Sequence, residues 1–190
     1  MTSIDHALFL WINLGADTPR FWLALARFSS LALIQWLPVV IVTLALAGTG
    51  LRRQAAWRVL ASVAVAALVV HLLKPFFHVD RPFALGLGTR WLEHGADPSF
   101  PSAHAAALAA MAVAVLLTPL RWPVKVVAVA LALQVSWSRV ALGLHFPSDV
   151  LAAWCVGTLA ALAVRWAWTR LQPRASAWWR RASLSLRGRS

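Results

Sequence analysis

The sequence predicts an all-α integral-membrane protein, a bundle of five to six transmembrane helices. Three observations carry this. Of the 190 residues, 61% are hydrophobic and only 13% are charged, about half the charged share usual in a soluble domain. Mean hydropathy is +0.70, more apolar surface than so few charges could cover in water, so a bilayer is the natural solvent. Finally, the apolar residues come in long runs parted by turn-rich segments, with basic residues at the ends of the runs, as the positive-inside rule expects.

The chain opens MTSIDHALFLWINLGAD, with no early Lys or Arg and no clear small-residue cleavage site. This is not the pattern of a signal peptide, so insertion is expected to rely on internal spans. The apolar stretch from Ala7 to Leu14 is too short to span and reads as an interfacial or re-entrant helix. A first span is expected at 22–48, kinked by Pro38 and ended by Gly48 and Gly50. A second, 54–74, ends at Lys74-Pro75, and a polar, turn-rich loop follows over 75–102. The third, 103–119, is almost pure Ala, Val, Leu and Met, and the turn around Pro119 and Pro123 leads to a fourth at 123–138. A loop over 139–148 precedes the fifth, 149–169. Joining the N-terminal segment would make six. Residues 1–170 are read as one membrane domain, and 171–190 as a basic, Trp- and Arg-rich tail.

Of the 18 Lys and Arg residues, twelve fall on the side holding the 50–58 segment, the 121–125 turn and the C-terminal end. Six (Arg20, Arg27, Lys74, Arg81, Arg90 and Arg139) fall on the other. That asymmetry puts the C-terminus in the cytoplasm and the 75–102 and 139–148 loops outside. Tryptophans near span ends, such as Trp91, Trp122 and Trp166, suit an interfacial belt. The net charge of +12 does not indicate nucleic-acid binding, because no soluble binding module accompanies it. The single cysteine, Cys155, is expected to be a small buried apolar residue.

Polar residues at membrane depth are costly, so their clustering is informative. Three clusters share the outward side: KPFFHVDRP (74–82), PSAH (101–104) and SRVALGLHFPSD (138–149). Lys74, Arg81 and Arg139 supply three cations, and Ser102 supplies a hydroxyl donor. PSAH runs straight into a span, so its backbone N–H groups sit at a helix N-terminus, an anion site. Together these suit a multiply charged oxyanion such as phosphate. His104 and His145 can serve as nucleophile and general acid. Asp149, four residues after His145, can take an imidazole N–H and stabilise its positive charge. The cations take the place of a dication, so no metal and no cofactor is expected. A metal site built from His104, His145 and Asp149 is the competing arrangement, and three neighbouring cations oppose it.

These motifs resemble the type-2 phosphatidic acid phosphatases, a superfamily that includes vanadium haloperoxidases. The family pattern is K-x6-R-P, P-S-G-H and S-R-x5-H-x3-D. It is matched by Lys74, Arg81 and Pro82, by Pro101, Ser102 and His104, and by Ser138, Arg139, His145 and Asp149. The departure is Ala103 where glycine is commonest; its backbone N–H remains available. The resemblance implies a helical bundle with the active site at one membrane face. It implies that His145 attacks phosphorus to give a phosphohistidine, that Asp149 orients it and that His104 protonates the leaving oxygen. Lys74, Arg81, Ser102, the Ala103 amide and Arg139 would hold the phosphate oxygens.

The segments IDHALFLWIN, HVDRPF, EHGADPSFPSAH and WSRVALGLHFPSD are similar to bacterial undecaprenyl-diphosphatases of this superfamily. Those enzymes recycle the lipid carrier of cell-wall synthesis on the outer face of the inner membrane. The favoured expectation is therefore a metal-independent lipid diphosphatase acting on undecaprenyl diphosphate, with His78, Asp80, Glu93 and His94 placed to bear on headgroup choice or to be plain solvated loop residues. The alternatives are a phosphatase for phosphatidylglycerol phosphate, phosphatidate or lipid A, a haloperoxidase, which would need no bilayer, and a non-catalytic lipid- or anion-binding membrane protein.

Overall fold

A computed structural model describes residues 3–93, 95 and 97–187, with side chains described through Leu171. Among the described residues there are helices and no strands. Seven α-helices run in chain order: α1 (Ser3–Ile12), α2 (Arg20–Phe28), α3 (Ile34–Ala47), α4 (Gly50–Leu73), α5 (Ala103–Leu116), α6 (Trp122–Ala141) and α7 (Pro147–Arg187). A π-helical turn, Ser29–Leu33, joins α2 to α3, making one continuous stretch from Arg20 to Ala47.

Among the described residues, four stretches are long and apolar enough to cross a membrane: Arg20–Ala47, Gly50–Phe76, Trp122–Ala141 and Pro147–Leu171. Four expected spans are thus found within a few residues of their sequence limits. The expected third span, 103–119, is shorter, because the helix stops at Leu116. At 1.5 Å per residue its 14 residues rise only about 21 Å, less than a hydrocarbon core of about 30 Å. Its place in the bundle accounts for its composition. α5 packs against α4, α6 and α7, and Ala105, Ala106, Ala109, Ala110, Ala112 and Ala114 are all buried. Small side chains let three neighbours approach one helix closely.

α7 comes close to α5 at Gly157. A Cβ built there would lie 2.5 Å from the Ala106 carbonyl oxygen and 2.7 Å from the Ala110 nitrogen. Backbone atoms cannot give way as a side-chain tip can, so Gly157→Val forces α5 and α7 apart. It is expected to cost about 1–3 kcal/mol, the usual range for overpacking. A fall in the thermal midpoint in detergent, against an unchanged Gly15→Ala control with open space around it, checks this.

The N-terminal helix is too short to span, as expected, and the chain just after it ties distant segments together. Asn13, just beyond α1, donates from Nδ2 to the carbonyls of Thr89 (3.0 Å) and Ala141 (3.1 Å) and accepts the Thr89 N–H at 2.7 Å. One amide thereby joins the 75–102 loop to the end of α6. Gly143 completes the junction: its φ is +80° and a Cβ would lie 2.4 Å from the Thr89 carbonyl oxygen, so both backbone conformation and space require glycine.

One expectation needs correction, and two gain detail from the structure. Cys155 is exposed on the outside of α7, because that helix turns Ala153, Ala160 and Ala161 inward instead. Trp91 is more than a belt residue: it packs against the buried cluster of Ala26, Ala141, Leu142 and Leu144, and its indole N–H donates to the Leu14 carbonyl at 2.6 Å. In the first span a π-helical turn falls at Ser29–Leu33, and Pro38 lies inside α3. The division at 170/171 lies within the continuous helix α7, and the tail's side chains lie outside the described residues, as does His94.

Candidate active site

α4 ends at Leu73 and continues as a single 3-10 turn, Lys74–Phe76, so Lys74 is held at the mouth of the bundle, partly exposed. A second 3-10 turn, Pro82–Leu85, follows Arg81, and Arg81 itself is 2% exposed. Its guanidinium donates in three directions. Nη1 reaches the Leu144 carbonyl at 3.0 Å and His145 Nε2 at 3.2 Å. Nη2 lies 3.1 Å from each carboxylate oxygen of Asp97, and Nε donates to the Asp97 main-chain carbonyl at 3.0 Å. Lys74 Nζ pairs with the same carboxylate.

These contacts settle the tautomer of His145. Arginine only donates, so Nε2 must accept and the ring proton belongs on Nδ1. There Nδ1 faces Asp149 Oδ2 at 3.4 Å and the Ser99 hydroxyl at 3.2 Å. Asp149 Oδ2 also accepts the Ser99 hydroxyl (2.5 Å) and the Phe146 N–H (2.8 Å). His145 and Asp149 are 2% and 0% exposed, so the ring has no freedom to turn and its Nε2 lone pair points at the Arg81 guanidinium. A nucleophilic imidazole backed by a buried carboxylate needs this orientation.

Both residues owe their placement to a local device at the start of α7. Pro147 opens the helix, and its first turn points Asp149 back toward residues 145 and 146. On the other side, Asp5 of α1 accepts the Ser148 N–H at 3.0 Å and its hydroxyl at 2.6 Å. His6 stacks on Phe146 with ring centroids 5.3 Å apart.

Arg139 lies in the last turn of α6, because the helix runs past the expected boundary at 138 to Ala141. It is 3% exposed and donates from Nη1 to Ser30 Oγ at 3.0 Å. The π-helical turn supplies that serine, and Ser30 also meets Ser138 at 3.1 Å. Arg139 Nε and Nη2 and the Ser102 hydroxyl are buried with no hydrogen-bond partner among the described residues. Unsatisfied buried donors are costly, and a bound oxyanion would satisfy them. Ser102 caps the start of α5, with its N–H on the Asp149 carbonyl at 3.3 Å. Ala103 follows, exposed, as the first helical residue, so its amide is at the helix N-terminus where an anion is favoured.

His104 is half-buried in the first turn of α5. With Ala103 it lines an apolar cavity of about 200 Å³ that runs down between α3, α4 and α5, past Leu37, Leu60, Ala107 and Met111. Among the described residues no three His, Cys, Asp or Glu side chains gather as a metal-ligand set.

The three motifs thus meet at one end of the bundle. Sequence reading missed Ser99, Asp97, Ser30 and Asp5. The first two stand within the quoted stretch EHGADPSFPSAH, so their neighbourhood was visible but their contacts were not.

Residues 55–173 match the family described as the PAP2 superfamily. The Escherichia coli K12 protein named "Putative undecaprenyl-diphosphatase YbjG" is 32% identical over 184 residues, 95% of this chain and 92% of that protein. A protein of Sulfolobus acidocaldarius named undecaprenyl-diphosphatase is 33% identical over 65% of this chain and 58% of its own length. Among solved structures, Aquifex aeolicus LpxE superposes with a TM-score of 0.68 at 23% identity, over 86% of this chain and 95% of that one. A transmembrane PAP2-type phosphatidylglycerolphosphate phosphatase from Bacillus subtilis gives 0.64 at 22%, over 86% and 83%. These two establish the shared fold; the family match and the YbjG likeness, which spans nearly the whole chain, go further and make this multi-pass membrane protein a lipid phosphatase of the PAP2 superfamily.

Proposed function

We propose that the protein hydrolyses undecaprenyl diphosphate to undecaprenyl phosphate and inorganic phosphate through a phosphohistidine on His145, without a metal. The observation that carries a lipid substrate is the junction of two environments. The buried cations and His145 Nε2 adjoin α5, whose first turn places His104 on the wall of an apolar cavity. A charged head and an apolar chain joined at a scissile bond fit that junction. The diphosphate is supported by the names of the two curated relatives.

In the first step His145 Nε2 attacks the terminal phosphorus in line and the bridging P–O bond breaks. Undecaprenyl phosphate leaves with its oxygen protonated by His104. The proton on Nδ1 stays on the ring, and Asp149 stabilises the resulting cationic phosphohistidine. Water then attacks phosphorus, giving a proton back to His104, and free His145 and phosphate result. Lys74, Arg81 and Arg139, with Ser102 and the Ala103 amide, neutralise charge on the equatorial oxygens, where electrostatic stabilisation is worth most. We place the protein in a bacterial inner membrane, and the basic asymmetry of the chain supports this site facing outward and the C-terminus in the cytoplasm.

Phosphate release by the purified protein in detergent with EDTA tests this. We expect undecaprenyl diphosphate to exceed phosphatidylglycerol phosphate and phosphatidate by roughly tenfold or more in kcat/KM, the scale a pocket's shape contributes to discrimination. Equal or faster turnover of a glycerophospholipid would assign the site to phospholipid metabolism. Loss of activity in EDTA, restored by a dication, would overturn metal independence.

A further inference from the structure

Two of the three cations assigned to phosphate already hold an anion, and it belongs to the chain. Both carboxylate oxygens of Asp97 lie 3.1 Å from Arg81 Nη2, and Lys74 Nζ pairs with one of them. The guanidinium that holds this carboxylate on Nη2 holds the nucleophile on Nη1. A phosphoryl group bound by Lys74 and Arg81 for attack by His145 must take those donors, so the two anions compete.

We propose that Asp97 is an internal occupant of the phosphate pocket, displaced by the substrate's phosphoryl group and returning to drive out inorganic phosphate after turnover. This rests on the phosphatase reading above. Three features favour an exchangeable occupant over a fixed structural bridge. The first is burial: the Arg81 side chain is 2% exposed and the Asp97 side chain 45%, so the cation is built in and the anion stands on the open side. The second is that Asp97 lies outside the helices, between the short turn ending at Leu85 and α5, so its carboxylate can leave without unwinding one. The third is charge. A carboxylate carries one negative charge and a phosphate monoester or diphosphate up to two or more, with an extra acceptor oxygen, so the substrate outcompetes the occupant at a pair of cations. The apparent dissociation constant of any phosphate ligand is then raised by the inverse of the fraction of time the pocket is open. The factor is the same for every ligand, and it decides occupancy for inorganic phosphate, which has no lipid chain to hold it.

The two readings differ in sign. A structural bridge orders Lys74 and Arg81, so its removal loosens phosphate binding. A competitor blocks them, so its removal tightens it. The test is calorimetric titration of the purified full-length protein in detergent with orthophosphate, comparing wild type with Asp97→Asn, Asp97→Ala, Glu93→Gln and Arg81→Gln. Glu93 is an exposed acid four residues upstream and controls for the through-space effect of removing one negative charge. We expect both Asp97 variants to bind orthophosphate roughly tenfold more tightly, as for a pocket open about one-tenth of the time, with Glu93→Gln within about twofold of wild type. Unchanged or weaker binding in the Asp97 variants, with loss in Arg81→Gln, would overturn the occupant while leaving the phosphate pocket standing. Equal tightening in Glu93→Gln would reduce the effect to net charge and overturn it also. Binding indifferent to Arg81 would overturn both the occupant and the pocket.

Discussion

His145→Ala is expected to lower the rate of phosphate release by roughly a thousandfold or more, because loss of a covalent nucleophile removes the pathway rather than tuning it. The ring is 2% exposed and its Nε2 is the acceptor aimed at Arg81; no other described side chain occupies that position. The pocket cations survive in the variant, so substrate should still bind. Rapid-quench labelling with terminal-phosphate-labelled substrate separates the steps: wild type should show an acid-labile, base-stable phosphoprotein and the variant none. Turnover persisting in a monodisperse His145→Ala preparation would move the nucleophile elsewhere.

Asp149→Asn is expected to lower kcat by roughly a hundred- to ten-thousandfold, the range seen when a carboxylate that orients a catalytic imidazole loses its charge. The structure makes this a clean substitution. Asp149 Oδ2 accepts from Ser99 and Phe146, whereas Oδ1 has no hydrogen-bond partner among the described residues. An asparagine can keep its carbonyl at the Oδ2 position and turn its amide to the Oδ1 side, so the start of α7 stays intact. What disappears is the negative charge that stabilises a cationic phosphohistidine. Substrate KM should stay within a few-fold of wild type and the thermal midpoint within a few degrees. A kcat near wild type would reduce Asp149 to a helix-start ligand for Phe146.

The fold class was legible because a bilayer writes itself into sequence at the scale of single residues. Long apolar runs, basic ends and glycine or proline breaks each have a direct cost in lipid, and four expected spans fall close to their helices. The site motifs were legible for a related reason: buried charges and imidazoles at membrane depth are costly enough to stand out. The i, i+4 spacing of His145 and Asp149 is set locally, and the structure places them 3.4 Å apart.

The rest was decided by tertiary structure. Asp97 and Ser99 sit in an otherwise ordinary polar loop, and nothing local distinguishes them from Asp80 or Glu93. They acquire partners only when the loop closes over residues 16 and 46 positions away in the chain. Ser30 looked like a neutral residue in an apolar span until the π-helical turn brought it to Arg139, 109 positions on. Asn13 joins a loop and a helix end separated from it by 76 and 128 positions. Helical periodicity reports which face of a segment avoids water or lipid; it carries no information on which distant segment meets that face. The sequence therefore determined the solvent, the helices and the chemical groups, and the packing of the 75–102 and 139–148 loops on α1, α6 and α7 determined which of those groups touch.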